Sequence, residues 1–203
     1  MLALIEAAEA ALEGGDEDTA LLFTEAAWVI YHGYDNGDGD DGTGCAPYGT
    51  GESRSGNFGL AGDVTERIVE AFEAAQSDLS EETLEALFAE VQKSTLITYL
   101  RAAVRYAARM DSNAEDEDPG NLRVNQLEGL AFFRVVEPYA ASLDADAAEI
   151  IDSTFAVTEY PPDADGNIDI SDYEEVGESV LEAAEAILEA AGIDIESEFG
   201  ELE

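Results

Sequence analysis

Apolar residues recur at three- and four-residue spacing along most of this chain, which is the pattern of helices that bury one face. Leu2 to Glu13 is amphipathic and stops at Gly14-Gly15. Acids at 16–18 open a second helix that runs through LLFTEAAWVIYHGY. This helix is apolar nearly all round, which is typical of a central helix in a bundle.

The helical pattern continues after a stretch from Asp35 to Gly62 that is rich in Gly and Asp, where we predict a long irregular loop. Ser80 is an N-cap, Ser94-Thr95 is a candidate break, and Asp118-Pro119 is an N-cap followed by a first-turn proline. Further helices are predicted at 63–76, 81–110, 121–143, 145–155, and from the capping box Ser171–Glu174 to Ala191. We find no strand pattern.

The fold class predicted from this pattern is all-α: a helical bundle of two related halves with a long Gly/Asp-rich loop. The apolar helices FTEAAWVIYHGY and QLEGLAFFRVVEPY each contain a glutamate, and each lies between amphipathic helices. This echo suggests one domain over residues 1–203, with an internal duplication of about 1–78 and 81–192.

Charge changes the expected environment of this bundle. The chain has 48 acidic and 8 basic residues, a net charge of −40 over 203 residues, and Lys93 is its one lysine. Self-repulsion of this size opposes compaction, but 46% of the residues are apolar, so we expect a folded, halophilic protein. We expect no nucleic-acid partner, because there is no basic surface to meet phosphates.

Three further sequence features limit the class of protein. No apolar run approaches the ~20 residues of a membrane span, so we expect no membrane insertion. The first 15 residues have no basic segment and indicate a helix, not a signal peptide. Cys45 is the only cysteine, which rules out a disulfide framework within the chain and favours an inert loop thiol.

Glu25 and Glu128 are candidate metal ligands because each lies in an apolar helix, where we expect burial. A buried carboxylate needs an arginine, a metal or a proton. His32 follows Glu25 by seven residues and projects from the same helix face. Carboxylate and imidazole inside a bundle are typical of iron, manganese or zinc sites. The alternative is that the glutamates form structural ion pairs and His32 caps its helix.

A second set of residues is expected to orient such a site or to bind an anion. Arg101, Arg105 and Arg109 are spaced by four on one helix face, beside Tyr106. They suit Glu25 and Glu128, an anion such as carboxylate, carbonate or phosphate, or ordinary surface acids. The segment CAPYGTGESRSGNFG adds the candidate residues Tyr48, Arg54 and Asn57, although an ordinary structured loop also fits this segment.

A calcium loop is a separate candidate between residues 163 and 174. Oxygen-bearing side chains stand at loop positions 1, 3, 5, 7, 9 and 12, the order of an EF-hand. Ile168 replaces the turn glycine, and Pro161-Pro162 precede the loop in place of an entering helix. The residues of this possible site are Asp163, Asp165, Asn167, Asp169 and Glu174; Asp35, Asp38, Asp40 and Asp41 form a poorer version.

The motifs EAAWVIYHG, APYGTGESRSGNFG, LRAAVRYA and EGLAFFRVVEP, in this order, resemble the low-iron-inducible periplasmic proteins of algae. They also resemble a related haloarchaeal domain associated with blue-copper proteins. The similarity runs from about Ala20 to Pro138. It implies an all-helical, secreted or surface-bound protein of iron assimilation. The matching positions are Glu25, Trp28, Tyr48, Arg54, 57–59, Arg105, Tyr106 and Glu128.

We therefore expect an extracytoplasmic metal-binding domain, with iron as the ligand for uptake or delivery, located outside the cell or at its surface. A metal-free helical scaffold for a cupredoxin-like or cell-surface partner, or an anion-binding module, is the alternative. No Ser-His-Asp, Cys-His or HExxH arrangement is present, so we do not expect an enzyme.

Stability is predicted to rise steeply with salt. Molar salt shortens the Debye length to about 3 Å and screens the repulsion among the 48 acidic side chains. We expect the chain to be unfolded in dilute buffer and folded in molar KCl or NaCl, as measured by circular dichroism and thermal melting. A melting temperature that does not change between these two conditions would contradict the halophilic interpretation.

Overall fold

The computed structural model describes residues 1–33, 46–60, 63–156 and 175–202. Within these residues the chain is helical and contains no strand, which confirms the predicted all-α class. The chain divides into two compact units, Met1–Thr98 and Tyr99–Leu202. The boundary between these units lies inside one long helix. The internal duplication of about 1–78 and 81–192 stays a prediction.

The first unit begins with helices α1 (Leu2–Glu13), α2 (Glu17–His32), α3 (Pro47–Asn57) and α4 (Asp63–Ser77). Asp16 caps α2 because its side chain accepts a hydrogen bond from the Thr19 amide at 3.1 Å. Buried Ile5, Ile68, Phe72 and Leu84 belong to the apolar core that α1, α2, α4 and the start of the next helix share. The predicted bounds of α1, α2 and α4 are confirmed to within one or two residues.

Helix α3 corrects the prediction of an irregular loop from Asp35 to Gly62. Pro47 occupies the first turn, where a proline ring fits a helix, and the helix continues to Asn57 despite three internal glycines. Tertiary packing stabilises α3, because the intrinsic helix propensity of its sequence is weak. A Cβ atom at Gly51 would lie 2.8 Å from the Thr65 methyl group of α4, so the glycine permits this close approach.

Helix α5 (Glu81–Glu115) is continuous through Ser94-Thr95, where a break was predicted. Ser94 is buried, and its hydroxyl donates to the Glu90 carboxylate one turn earlier at 2.7 Å, so the polar residue stays within the helix. Arg67 on α4 reaches the same Glu90 carboxylate at 3.3 Å. The helix also runs five residues beyond the predicted end at Met110.

The second unit contains the end of α5, then α6 (Pro119–Leu143), α7 (Ala145–Phe155), α8 (Val176–Ala190) and a π-helical turn (Ile195–Phe199). Asp118 caps α6 as the sequence predicted, since its side chain accepts from the Asn121 amide at 3.1 Å. Gly129 permits α6 to approach α7: a Cβ atom there would lie 2.2 Å from the buried Phe155 ring. The sequence pattern did not predict the π-helical turn.

The start of α8 is held by Asp111 of α5. The Asp111 carboxylate accepts hydrogen bonds from the Val176 amide at 2.8 Å and from the Gly177 amide at 2.9 Å. Burial raises the pKa of Asp111 above its ordinary value, against the opposing effect of these two hydrogen bonds. The predicted capping box of Ser171 and Glu174 lies outside the described residues. Among the residues described here, no helix is both long and apolar enough to cross a membrane.

We predict that Asp111 and Asp118 titrate on opposite sides of the ordinary aspartate value of 3.8. Both accept backbone hydrogen bonds at the start of a helix, but burial dominates at Asp111, whereas the Asn121 amide and side chain lower the pKa of Asp118. Carboxyl NMR titration in molar salt measures both. Because its folded pKa is raised, the stability contributed by Asp111 is complete below pH 3.8 and is lost as pH rises through its folded pKa. An Asp111 midpoint at or below 3.8 would contradict this assignment.

Candidate functional site

Glu25 and Glu128 are exposed, which corrects the expectation that their apolar helices bury them. Glu25 lies on α2 in the first unit, and Glu128 lies on α6 in the second unit. The buried face of α2 is formed instead by Ala20, Thr24, Ala27 and Tyr31. The expectation failed because both helices also carry apolar residues on the side that faces away from the core.

His32 packs among aromatic rings in the first unit. Its ring stacks on Trp28 with a centroid distance of 4.7 Å and lies 4.9 Å from the Tyr48 ring. Tyr48 in turn meets the buried Tyr31 edge-on at 6.0 Å. The predicted residues His32 and Tyr48 therefore come together, and they do so as neighbours in an aromatic cluster.

Helix α3 brings together Arg54 and Asn57, two residues singled out in the sequence. The Arg54 side chain is buried, and its Nη1 donates to Asn57 Oδ1 at 2.9 Å. In the same unit, α3 and α4 form an open cleft of about 370 Å³ that neither Arg54 nor Asn57 lines. The Thr65 hydroxyl donates to the Glu52 carboxylate at its edge. The cleft is lined by Tyr48, Glu52, Thr65, Glu66, Val69 and Glu70.

Arg101 is fully buried and contacts the C-terminal turn. Its Nε donates to the Phe199 carbonyl at 2.9 Å, and its Nη2 donates to the Glu198 carbonyl at 2.8 Å. The guanidinium also lies 5.9 Å from the centroid of the Phe199 ring. Sequence reasoning marked Arg101 as an anion or carboxylate ligand, whereas in the structure it fastens the end of the chain to α5.

The other two arginines of the stripe surround Tyr106. The guanidinium groups of Arg105 and Arg109 lie 5.6 Å and 6.0 Å from the Tyr106 ring centroid, within the range of cation–π contacts. Tyr106 is itself buried and stacks on Phe132 of α6 at 5.5 Å. Arg101 and Arg105 thus belong to the packing between α5 and its neighbours in the second unit, whereas Arg109 is exposed.

Within the described parts of the chain, no three His, Cys, Asp or Glu side chains lie close enough together to hold a metal ion. The iron site predicted from Glu25, His32 and Glu128 therefore gains no support from the described geometry. The calcium-loop residues Asp163, Asp165, Asn167, Asp169 and Glu174 lie outside the described residues, as do Asp35, Asp38, Asp40, Asp41 and Cys45.

The α2 stripe is a surface that sequence reasoning missed; it consists of Leu21, Leu22 and Val29. These side chains are between 37% and 62% exposed. Leu22 and Val29 are seven residues apart and therefore lie nearly two turns apart on the side opposite the buried face. Glu25 stands between them, one turn from each.

A corresponding surface, the α6 stripe, consists of Val124, Leu127 and Val135 and lies in the second unit. These three side chains are between 46% and 54% exposed, on the side opposite buried Leu122, Phe133 and the other core residues of α6. Glu128 lies beside this stripe. A helical wheel drawn from the sequence separates the two apolar faces of each helix. It does not indicate which of the two faces the core covers.

The outward faces of α4 and α8 are acidic, and α7 exposes one large aliphatic side chain, Ile150. Exposed positions of α4 include Glu66, Glu70 and Glu73, and those of α8 include Glu178, Glu182 and Glu189. In a chain with 48 acidic residues, acids are the default at exposed helix positions. The apolar residues on the outward faces of α2 and α6 depart from that default, so they are the candidate functional surfaces of the described residues.

In three comparisons, no protein-family model, curated protein or solved structure matched this chain. The resemblance to the low-iron-inducible periplasmic proteins and to the haloarchaeal domain accordingly stays a prediction.

Replacing Arg101 with lysine is predicted to loosen the C-terminal turn. An ammonium group cannot reproduce the two guanidinium hydrogen bonds to neighbouring carbonyls, so we expect a loss of about 3 kcal/mol in the free energy of unfolding. Hydrogen exchange of residues 195–202 should accelerate at the same time. Arg109→Lys is the matched control on the same helix, and because Arg109 is exposed it should change stability by less than about 0.5 kcal/mol. Equal effects at both positions would contradict the assignment.

Proposed function

We propose that this chain is a helical protein-binding module with one binding surface on each unit, the α2 stripe on the first and the α6 stripe on the second. The observation that carries this proposal is the exposure of large aliphatic side chains on two helices whose outward faces would otherwise be acidic. Exposed apolar residues that cluster on one face mark interaction surfaces in soluble proteins. The proposal corresponds to the metal-free binding module that the sequence left open as an alternative to an iron-binding domain.

Two further observations support a binding role over a metal-binding one. Glu25 and Glu128 are exposed, and neither has a basic side chain of the described chain in salt-bridge contact. Buried Arg101 already has structural partners, because it donates hydrogen bonds to the carbonyls of Glu198 and Phe199. The residues singled out for metal or anion chemistry thus divide into exposed glutamates beside apolar stripes and arginines used in packing.

We retain the environment expected from the charge as part of the proposal: an extracytoplasmic module of a halophile, whose partner is a cell-surface protein. High salt favours binding through an apolar surface on an acidic protein, for two reasons. Salts that are excluded from protein surfaces strengthen apolar association, while they screen the repulsion that 48 acids would otherwise impose on an approaching acidic partner.

The double variant Leu22→Ser, Val29→Ser is expected to lose partner capture while keeping its fold, because both side chains are more than half exposed. The immobilised full chain is incubated in molar salt with an extract of the source organism, and the captured proteins are quantified by mass spectrometry. The variant should retain the wild-type melting temperature within a few degrees. Leu127→Ser, Val135→Ser tests the α6 stripe in the same way.

The control is Glu70→Ser, Glu73→Ser on the acidic outward face of α4 in the same unit. Capture that survives the α2 and α6 substitutions, or that falls equally with the α4 control, would contradict the proposal. Metal analysis of the same preparations tests the iron hypothesis: one iron per chain that is lost in Glu25→Gln or Glu128→Gln would favour a metal-binding domain instead.

A further inference from the structure

The chemistry of the partner follows from the position of Glu25, on the premise that the α2 stripe is a binding surface as proposed above. Glu25 lies one turn from Leu21 and Leu22 and one turn from Val29. A partner that covers these aliphatic side chains must also remove water from the Glu25 carboxylate. A desolvated carboxylate is costly unless a cation or hydrogen-bond donors replace the water.

The described part of the chain does not supply that cation. The first turn of α2 carries Glu17 and Asp18, so the remaining fixed charges of its outward face are also negative. His32 at the end of α2 packs against Trp28 and Tyr48. None of the salt bridges in the structure involves Glu25 among the residues described. The cation must therefore come from the partner.

The α6 stripe differs from the α2 stripe because a basic side chain lies near it. Arg134 lies near its end and already pairs with Glu137 at 2.5 Å and with Asp152 at 2.7 Å. A base is thus present on the outward side of α6, where none is described on the outward side of α2. The α2 stripe is therefore the surface for which the charge of the partner can be inferred.

The shape of the α2 stripe selects the class of partner. The stripe is one convex helix face that spans nine residues from Leu21 to Val29, or about 14 Å of helix. Addition of a strand requires a sheet edge, and the described residues contain no strand. Recognition of an extended proline-rich segment requires an aromatic groove, whereas this face is aliphatic. Packing of a second helix against the face by ridges into grooves fits both its shape and its length.

A second copy of this chain fits poorly. A two-fold contact through α2 would place the same surface on both sides of the interface. Because the outward side of α2 carries no lysine or arginine, the desolvated Glu25 carboxylate of each copy would meet no cation on the other.

We propose that the α2 stripe binds an amphipathic helix of another protein, which carries an arginine or lysine in the middle of its apolar face and pairs it with Glu25. The aliphatic side chains at both ends of the stripe provide apolar contact. The pairing at Glu25 decides which apolar helices are accepted and in which register.

The test uses three fluorescein-labelled helical peptides of about 18 residues with the same leucine stripe. They differ at one central position on that stripe, which is Arg, Gln or Glu. Binding to the full chain is measured by fluorescence anisotropy in molar KCl, for wild type, Glu25→Gln, Glu25→Arg, and Leu22→Ser, Val29→Ser. Glu73→Gln on α4 is the control for the loss of one exposed negative charge.

Wild type should bind the Arg peptide at least about tenfold more tightly than the Gln peptide and should bind the Glu peptide most weakly. Glu25→Gln should lose the discrimination between Arg and Gln, and Glu25→Arg should prefer the Glu peptide. The Glu73→Gln control should retain the wild-type order. Equal affinity of wild type for all three peptides, or an order that does not change in the Glu25 variants, overturns the inference.

The remaining outcomes separate this inference from the proposed function. If no peptide binds while partner capture still depends on Leu22 and Val29, the binding module stands and the helical cationic partner is wrong. If the peptides bind wild type and the Leu22→Ser, Val29→Ser variant equally, they do not bind the α2 stripe, and this inference fails whatever the result of partner capture. A doubling of mass in sedimentation that the same double variant abolishes would instead assign the stripe to self-association.

Discussion

The fold depends on keeping carboxylates in water, because the chain has only 8 basic residues to neutralise its 48 acidic ones. No aspartate or glutamate among the described residues is fully buried, and the partly buried Asp111 accepts two backbone hydrogen bonds. The polar groups that are buried are hydroxyls, amides and two arginines. Helix packing must then be achieved almost entirely with aliphatic, aromatic and alanine side chains.

This constraint explains why helix positions were predictable and the site was not. Apolar spacing, the acids at 16–18 and the cap Asp118 marked α1, α2 and α6, since these signals are local. The same local reasoning placed Glu25 and Glu128 in the core, because an apolar helix with one acid indicates a buried acid. Burial depends on which side of the helix the rest of the chain covers, and the two apolar stripes leave Glu25 and Glu128 on the uncovered side.

Contacts between distant residues account for the other differences. Helix α3 has a weak helical sequence, and Gly51 becomes favourable only where Thr65 packs against it. Arg101 bonds with residues 97 and 98 positions later, in a turn whose own sequence gives no signal of a π-helix. Asp111 likewise caps α8 from 65 residues away. In each case the residue type suggested a polar contact, while its partner followed from the tertiary arrangement.

High salt also determines how an acidic binding surface achieves selectivity. At molar ionic strength the Debye length is about 3 Å, so the net charge of −40 exerts little long-range attraction on a basic partner. Charges then matter mainly where water and ions are displaced, because a desolvated pair is screened far less than an exposed one. Of the many carboxylates of this chain, Glu25 is flanked on its own helix by exposed aliphatic side chains that a partner would cover. Its position within the α2 stripe, and not the total charge, is therefore what allows it to select a partner.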